Sequence, residues 1–308
     1  MFLSIVSPIY NAAAILPKLT ELISKECDAM GVTFEIILVN DASPDNSWAV
    51  IQELCKSNVC VTGVNLSRNF GQHSAINAGL SVVTGEYIVV MDCDLQHHPK
   101  YIPDLIKKMK EGNDIVFTVV DNRQHSFFKN FFSRIYHHIY NYLAELNSDY
   151  KYATYSIISA KVLKEYKNIN DYHSHYLPKL KWLGFKQASI PIEHYKRESG
   201  ESSYTIKKLF IAALNGITSH STKLLRINIF FGISISLISF IGIGYIIFTY
   251  FTKGFLVGWA SIATLILFSL GILLTSIGIV GLYIGQTFEQ VKKRPSFIID
   301  SIYTGRNV

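Results

Sequence analysis

Cysteine is scarce in this 308-residue chain: Cys27, Cys55, Cys60 and Cys93 are all it has. None of them stands at a metal-ligand or redox spacing, which excludes a disulfide scaffold and a zinc module and leaves four small apolar residues kept reduced. A large charge imbalance is missing too. The net charge of +6 is too modest to imply a nucleic-acid partner. There is no internal repeat and no low-complexity linker. The opening "MFLSIVSPIYN" lacks a basic leader and runs straight into Pro-Tyr-Asn, so it reads as a first strand and not as a signal peptide.

The most telling absence is local. Charged residues are scattered as far as Arg226 and then vanish over 227–252 and again over 254–288. Each run exceeds the roughly 20 residues that cross a bilayer, so two membrane spans are expected, at about 227–252 and 259–284. Lys223 and Arg226 precede the first, Lys292, Lys293 and Arg294 follow the second, and the connection "TKGFLVG" holds a single lysine. The basic flanks place both ends of this 227–285 hairpin in the cytoplasm, with a tail over 286–308. Basic residues beside a membrane also favour anionic lipids.

Before the spans, apolar runs alternate with helical patterns. "FLSIVSPIY", "FEIILVND", "VCVTGVNLS", "EYIVVMD" and "DIVFTVV" read as strands, separated by helices near 13–26, 46–56, 72–82 and 100–110. This order predicts an α/β fold with a doubly wound, mostly parallel sheet in a domain over 1–203. Ligands of such sheets bind beyond the carboxyl ends of the strands. Polar clusters sit there: Pro8-Ile9-Tyr10-Asn11, Asn40-Asp41, Ser67-Arg68-Asn69 and Asp92-Cys93-Asp94. Residues 127–146 form an amphipathic pattern, with Phe128, Phe131, Phe132, Ile135, Ile139 and Leu143 on one side. It suits packing on the domain or lying at a membrane surface, and 204–226 is a second such stretch, leading into the first span.

"VVMDCDLQHHP" carries Asp92, Asp94 and Gln96 at alternate positions where a buried strand ends. If the extension continues, all three point to one side. Two close carboxylates repel unless a cation sits between them, and a hard divalent ion, Mg²⁺ or Mn²⁺, would bind these oxygens and a diphosphate together. The stretch alone also allows an Asp-rich turn, with Asp94 or His97 capping the helix that begins near Pro99.

With "SPIYN", "EIILVNDASPDNS", "LSRNFGQHSAINAGL", "TGEYIVVMDCDLQHHP", "HYKRESGESSY" and "GIVGLYIGQTFEQVKKRP" together, the chain resembles the family 2 glycosyltransferases of GT-A fold. Within them it is similar to the membrane-anchored polyprenyl-phosphate glycosyltransferases, which include dolichyl-phosphate mannose synthase and bacterial undecaprenyl-phosphate glucosyltransferases. The resemblance spans 4–295. It implies that Pro8, Tyr10, Asn11 and Asp41 line the nucleotide pocket, and that Asp92, Asp94 and Gln96 hold Mg²⁺ or Mn²⁺. It implies further that Arg123, Lys129 and Ser133 receive the acceptor phosphate, and that Arg197 closes over the donor phosphates with Asp92 and Asp94 as catalytic partners. The expected reaction is inverting transfer from a UDP- or GDP-sugar to a polyprenyl phosphate at the inner membrane, the catalytic domain and both termini being cytoplasmic. Departures from the family pattern fall at Ala12, Asn40, Ala42, Val120, Tyr155, Ser156 and Ser203, which leaves the sugar open.

Three rivals are weaker. A processive polysaccharide synthase of this family carries Gln-x-x-Arg-Trp and more spans, and none of Trp48, Trp182 and Trp259 follows an arginine. A transferase with a non-lipid acceptor has no need of membrane-facing basic and aromatic helices. A non-enzymatic scaffold or flippase has no need of the D-x-D-x-Q array. Two spans leave much of a catalytic domain's membrane face uncovered, which favours a homo-oligomer.

Overall fold

The computed structural model describes residues 1–120, 142–143, 152–169, 175–193, 217–218, 221–253 and 258–305. The chain divides into two compact units. One comprises Met1–Phe131, Ser148–Ser203 and Arg294–Val308; the other comprises Phe132–Asn147 and Tyr204–Lys293.

In the first unit the elements run β1 (Phe2–Ile9), α1 (Leu16–Ala29), β2 (Thr33–Asn40), α2 (Ser47–Ser57), β3 (Val61–Leu66), α3 (Gln72–Val82) and β4 (Tyr87–Val90). A single 3₁₀ turn, Pro99–Tyr101, leads into α4 (Ile102–Lys110), then β5 (Ile115–Val120), β6 (Tyr152–Ser159), α5 (Ala160–Asn168), α6 (Tyr176–Trp182) and β7 (Gln187–Ile192). The last strand, β8 (Ile299–Thr304), comes after the apolar helices.

These strands make one eight-stranded sheet in the order β7-β5-β6-β4-β1-β2-β3-β8. β1 pairs in parallel with β2 and β4, β2 with β3, and β5 with β7; β6 and β8 run antiparallel to their neighbours. Period-2 alternation splits the central strands between two cores. Leu3, Ile5, Ile36 and Leu38 pack with Leu16, Leu19, Ile23 and Leu105 of α1 and α4 on one face. Val6, Ile37, Val39 and Val64 pack with Ala75, Ile76, Leu163 and Leu180 of α3, α5 and α6 on the other. The sheet is therefore doubly wound, and β1 and β4 diverge at its switch point, where such folds place their ligands.

Helix placement follows local chemistry. α1 buries Leu16, Leu19, Thr20, Ile23 and Cys27, one stripe at helical spacing, with proline in its first turn. α4 starts with Asp104 and ends with Lys107, Lys108 and Lys110, a charge order that complements the helix dipole. α3 lies close on β1 and β2 because Gly79 has no side chain: a Cβ there would collide with Val6 and Val39.

Three strands differ from expectation, one of them β7, which lies parallel to β5 at the sheet edge where no strand is expected. No strand is expected over 152–159, yet β6 is wedged there between β4 and β5, its buried Ala153, Tyr155, Ile157 and Ile158 filling both cores. The outer part of the 286–308 tail is not separate from the domain, since β8 pairs with β3.

The second unit holds α7 (Lys223–Lys253) and α8 (Trp259–Val291). Both are long and apolar enough to cross a membrane. Phe230, Phe240, Ile241 and Phe251 on α7, and Leu265, Phe268 and Ile284 on α8, are exposed, which a soluble core helix would not tolerate. Ser276 Oγ donates to Asn228 Oδ1 at 2.9 Å, and Tyr283 Oη donates to the Ser221 carbonyl at 2.8 Å. These bonds set the antiparallel register of the hairpin.

Candidate active site

The carboxyl ends of β1, β2 and β4 are neighbours in the sheet, and each is followed by backbone in an unusual conformation. Asn11, Ala42 and Leu95 take positive φ angles of 51°, 48° and 53°. A Cβ makes this region costly, by about 1–2 kcal/mol for an ordinary residue. Such strain gathers where the surrounding structure holds loops in a set shape for function.

The β2–α2 loop supplies the restraint on the β1 loop. Asn11 N–H donates to Ser43 Oγ at 3.0 Å, Ala12 N–H to Ser47 Oγ at 3.2 Å, and Ala13 N–H to Asp45 Oδ2 at 3.2 Å. Burial pushes the Asp45 carboxyl up, but hydrogen bonds from the Ser47 side chain and from the Ala13 and Ser47 N–H groups outweigh it and hold the group below the usual range. Pro8 is buried at the end of β1, whereas Tyr10 is 47 % exposed, its ring presented at the rim.

Asp41 fastens the next loop. Its two oxygens accept from Phe70 N–H at 2.7 Å and Gly71 N–H at 2.9 Å. Gly71, with φ of 92°, makes the turn that lets α3 begin there. Burial raises the Asp41 pKa; the two N–H groups and the Arg68 charge pull it the other way without prevailing. Each oxygen keeps a second lone pair, so this latch leaves Asp41 able to accept a further bond.

At the D-x-D turn the expected extension fails. β4 stops at Val90, and Leu95 turns the backbone left-handed, so strand alternation does not align Asp92, Asp94 and Gln96. What fixes them is local and tertiary bonding. Asp92 Oδ1 accepts from Gln72 Nε2 at 2.6 Å, and Asp94 Oδ1 accepts from the Gln96 N–H at 3.1 Å. Neither Asp94 nor His97 caps the following helix; His98 does, its Nδ1 accepting from Lys100 N–H at 3.0 Å. Between the two carboxylates, Cys93 has its thiol pushed up to about 12 by burial and then by both negative charges, so it stays protonated.

Asp92, Asp94 and Gln96 are half-buried and offer oxygen donors. Among the described residues no three His, Cys, Asp or Glu side chains cluster to form a closed metal cage. Two carboxylates and an amide oxygen, with remaining positions open to water and diphosphate, match the way Mg²⁺ and Mn²⁺ are held beside phosphates. The donor set fits such an ion.

The departures from the family pattern also have places. Val120 is buried at the end of β5. Tyr155 is buried in one core, its ring 6.2 Å from and roughly parallel to that of His97, next to the D-x-D turn. Ser156 faces the opposite core, donating to the Thr154 carbonyl at 3.0 Å and lying 3.1 Å from Tyr176 Oη. Arg123, Lys129, Ser133, Arg197, Ser203, all of the 127–146 stretch except 142–143 and most of 204–226 lie outside the described residues. Sequence spacing gave no sign of Gln72, Ser43, Asp45 and Ser47 as site residues. Their partners are twenty or more positions away, and only the polar D-x-S before α2 and the "RNFGQ" turn marked the segments.

A family model described as glycosyl transferase family 2 matches residues 4–167. Over 302 residues the chain is 30% identical to the uncharacterized glycosyltransferase YkcC of Bacillus subtilis, covering 97% of this chain and 94% of that protein. Over 309 aligned positions it is 32% identical to the undecaprenyl-phosphate 4-deoxy-4-formamido-L-arabinose transferase of Edwardsiella ictaluri, covering 98% and 94%. The solved glucosyl-3-phosphoglycerate synthase from Mycobacterium tuberculosis, in complex with Mn²⁺, UDP and phosphoglyceric acid, superposes with a TM-score of 0.50 at 16% identity, covering 70% of this chain and 76% of that one. That likeness identifies the sheet as GT-A in type. Family model and full-length relatives agree, and the chain belongs to glycosyl transferase family 2.

Proposed function

We propose that this glycosyltransferase moves a sugar from a UDP- or GDP-linked donor to a polyprenyl phosphate, undecaprenyl phosphate in the first instance, at the cytoplasmic face of the inner membrane. The observation that carries the reading is one of chain path. The polypeptide leaves the GT-A sheet, forms two exposed apolar helices and rejoins the same sheet as β8. A transferase so built works beside a bilayer, where a lipid acceptor resides. The Edwardsiella relative, similar over nearly its whole length, is named for an undecaprenyl-phosphate acceptor.

The chemistry asks little of a base. A phosphate monoester is largely ionised near pH 7, its second pKa being about 6. An acceptor oxygen attacks the anomeric carbon, the bond from that carbon to the diphosphate oxygen breaks, and the nucleoside diphosphate departs with the electron pair, inverting the centre. Asp92, Asp94 and Gln96 would hold Mg²⁺ or Mn²⁺, which would supply positive charge against the leaving diphosphate. Pro8, Tyr10, Asn11 and Asp41 orient the nucleotide, Arg123, Lys129 and Ser133 the lipid phosphate, and Arg197 covers the donor phosphates. Positioning supplies much of the remaining rate gain.

Full-length protein in detergent, given undecaprenyl phosphate and a panel of UDP- and GDP-sugars, tests this by mass spectrometry of the lipid phase. One donor should yield a lipid monophosphate sugar. Transfer only to soluble or protein acceptors would overturn the proposal.

A further inference from the structure

β8 does more than cover a sheet edge. Its ladder with β3 pairs Asn65 with Ser301 and Leu66 with Ile299, which leaves Asp300 as the extra residue of a bulge. Bulges re-aim side chains that regular alternation would point elsewhere. Here the Asp300 Oδ2 accepts from Asn65 Nδ2 at 3.2 Å. Asn65 Oδ1 in turn accepts from Asn40 Nδ2 at 2.8 Å, across a directly opposed pair of β2 and β3. Asn40 is only 2 % exposed, and its Oδ1 accepts from Ser43 N–H at 3.3 Å. Ser43 Oγ is the acceptor for Asn11 N–H. One row of hydrogen bonds thus joins the strand returning from the apolar hairpin to the β1 and β2 loops.

We propose that Asp300, Asn65 and Asn40 form a positioning relay for the donor pocket, through which the returning strand sets the loops that receive the nucleoside diphosphate. This rests on the donor reading of Tyr10, Asn11 and Asp41 given above. The relay has a direction: Asn40 donates to Asn65, and Asn65 donates to a carboxylate that can only accept. An aspartate at position 40 would reverse the first bond, turn the Asn65 amide over and set its oxygen against the Asp300 carboxylate. The Asn40 amide is therefore matched to the Asp300 carboxylate at the far end of the chain.

The test uses the full-length protein in detergent with Mn²⁺, reading Kd for UDP and for GDP by calorimetry, KM for undecaprenyl phosphate, and Tm. Asn40→Asp should weaken the better nucleotide about tenfold, the effect of one mispaired hydrogen bond in the relay. Asp300→Asn, whose carbonyl still accepts, should stay within about twofold, and Asn40→Asp with Asp300→Asn should recover to within about threefold, because the reversed chain is again fully paired. Acceptor KM should not move. If Asn40→Asp fails to fold, Asp300→Ala at the exposed edge carries the test, with an expected loss of about threefold. Unchanged nucleotide affinity in these variants, a double variant as weak as Asn40→Asp, or a lower Tm with wild-type Kd would overturn the relay. A wild-type protein that binds neither nucleotide would overturn the donor reading and the relay with it.

Discussion

Ala42 holds a left-handed backbone, φ 48°, immediately after Asp41, in a place where a glycine would sit without strain. Removing the Cβ relieves about 1–2 kcal/mol of steric cost and gives back roughly 0.5–1 kcal/mol through the looser unfolded chain. Ala42→Gly should therefore stabilise the protein by about 0.5–1 kcal/mol, read as a rise in thermal midpoint in detergent; a fall would show that the Ala42 methyl makes contacts worth more than the strain. At this scale the sequence marked candidate residues more clearly than how they are held. Asp92 and Asp94 stand out because carboxylates end an apolar run. Their orientation was not legible, because it depends on Leu95 adopting φ 53° and on Gln72 bonding Asp92 from another loop. Asp41 likewise announces itself after β2, while its partners, the Phe70 and Gly71 N–H groups, are backbone atoms that no residue pattern records.

Among the elements, α3 links most of the site. Its first residue, Gln72, reaches Asp92, the turn before it is latched by Asp41, and its middle rests on β1 and β2 at Gly79. Alanine at 79 would gain about 1 kcal/mol in helix propensity but overpack against Val6 and Val39, which costs typically 1–3 kcal/mol. Overpacking wins. Gly79→Ala should lower stability by about 1 kcal/mol and loosen the α3 N-terminus, reported by faster amide exchange at Gly71 and Gln72; unchanged stability and exchange would place the helix farther from the sheet. The span 72–82 was readable as a helical pattern between strands, and β1 to β5 were readable because parallel strands are bare apolar runs between turn residues. β6, β7 and β8 were not. β6 reverses direction and inserts between strands that precede it, and β8 is joined to the sheet only through a partner some 235 positions earlier.

For the molecule as a whole, the pairing of β8 with β3 has a topological consequence. A strand cannot pair through a bilayer, and the proposed topology accordingly has both ends of the α7–α8 hairpin on one side of the membrane. In the proposed topology the basic residues at 223, 226 and 292–294 put that side in the cytoplasm. An impermeant maleimide applied to intact cells should label Lys253→Cys and spare Ser301→Cys until lysis; the reverse pattern would put the site away from nucleotide sugars. The proposed reaction moves a sugar from a nucleotide to a lipid phosphate at the Asp92–Asp94 turn. Its most direct measurement is the passage of radiolabel from the active nucleotide sugar into chloroform–methanol-extractable lipid, with wild type and Asp94→Ala, before and after EDTA. Label is expected in the organic phase for wild type, with its loss on adding EDTA, its return on adding Mn²⁺ or Mg²⁺, and a fall of at least about 100-fold for folded Asp94→Ala, in line with removing a transition-state charge stabiliser. Label that stays in the aqueous phase, or lipid labelling that survives both EDTA and Asp94→Ala, would contradict it.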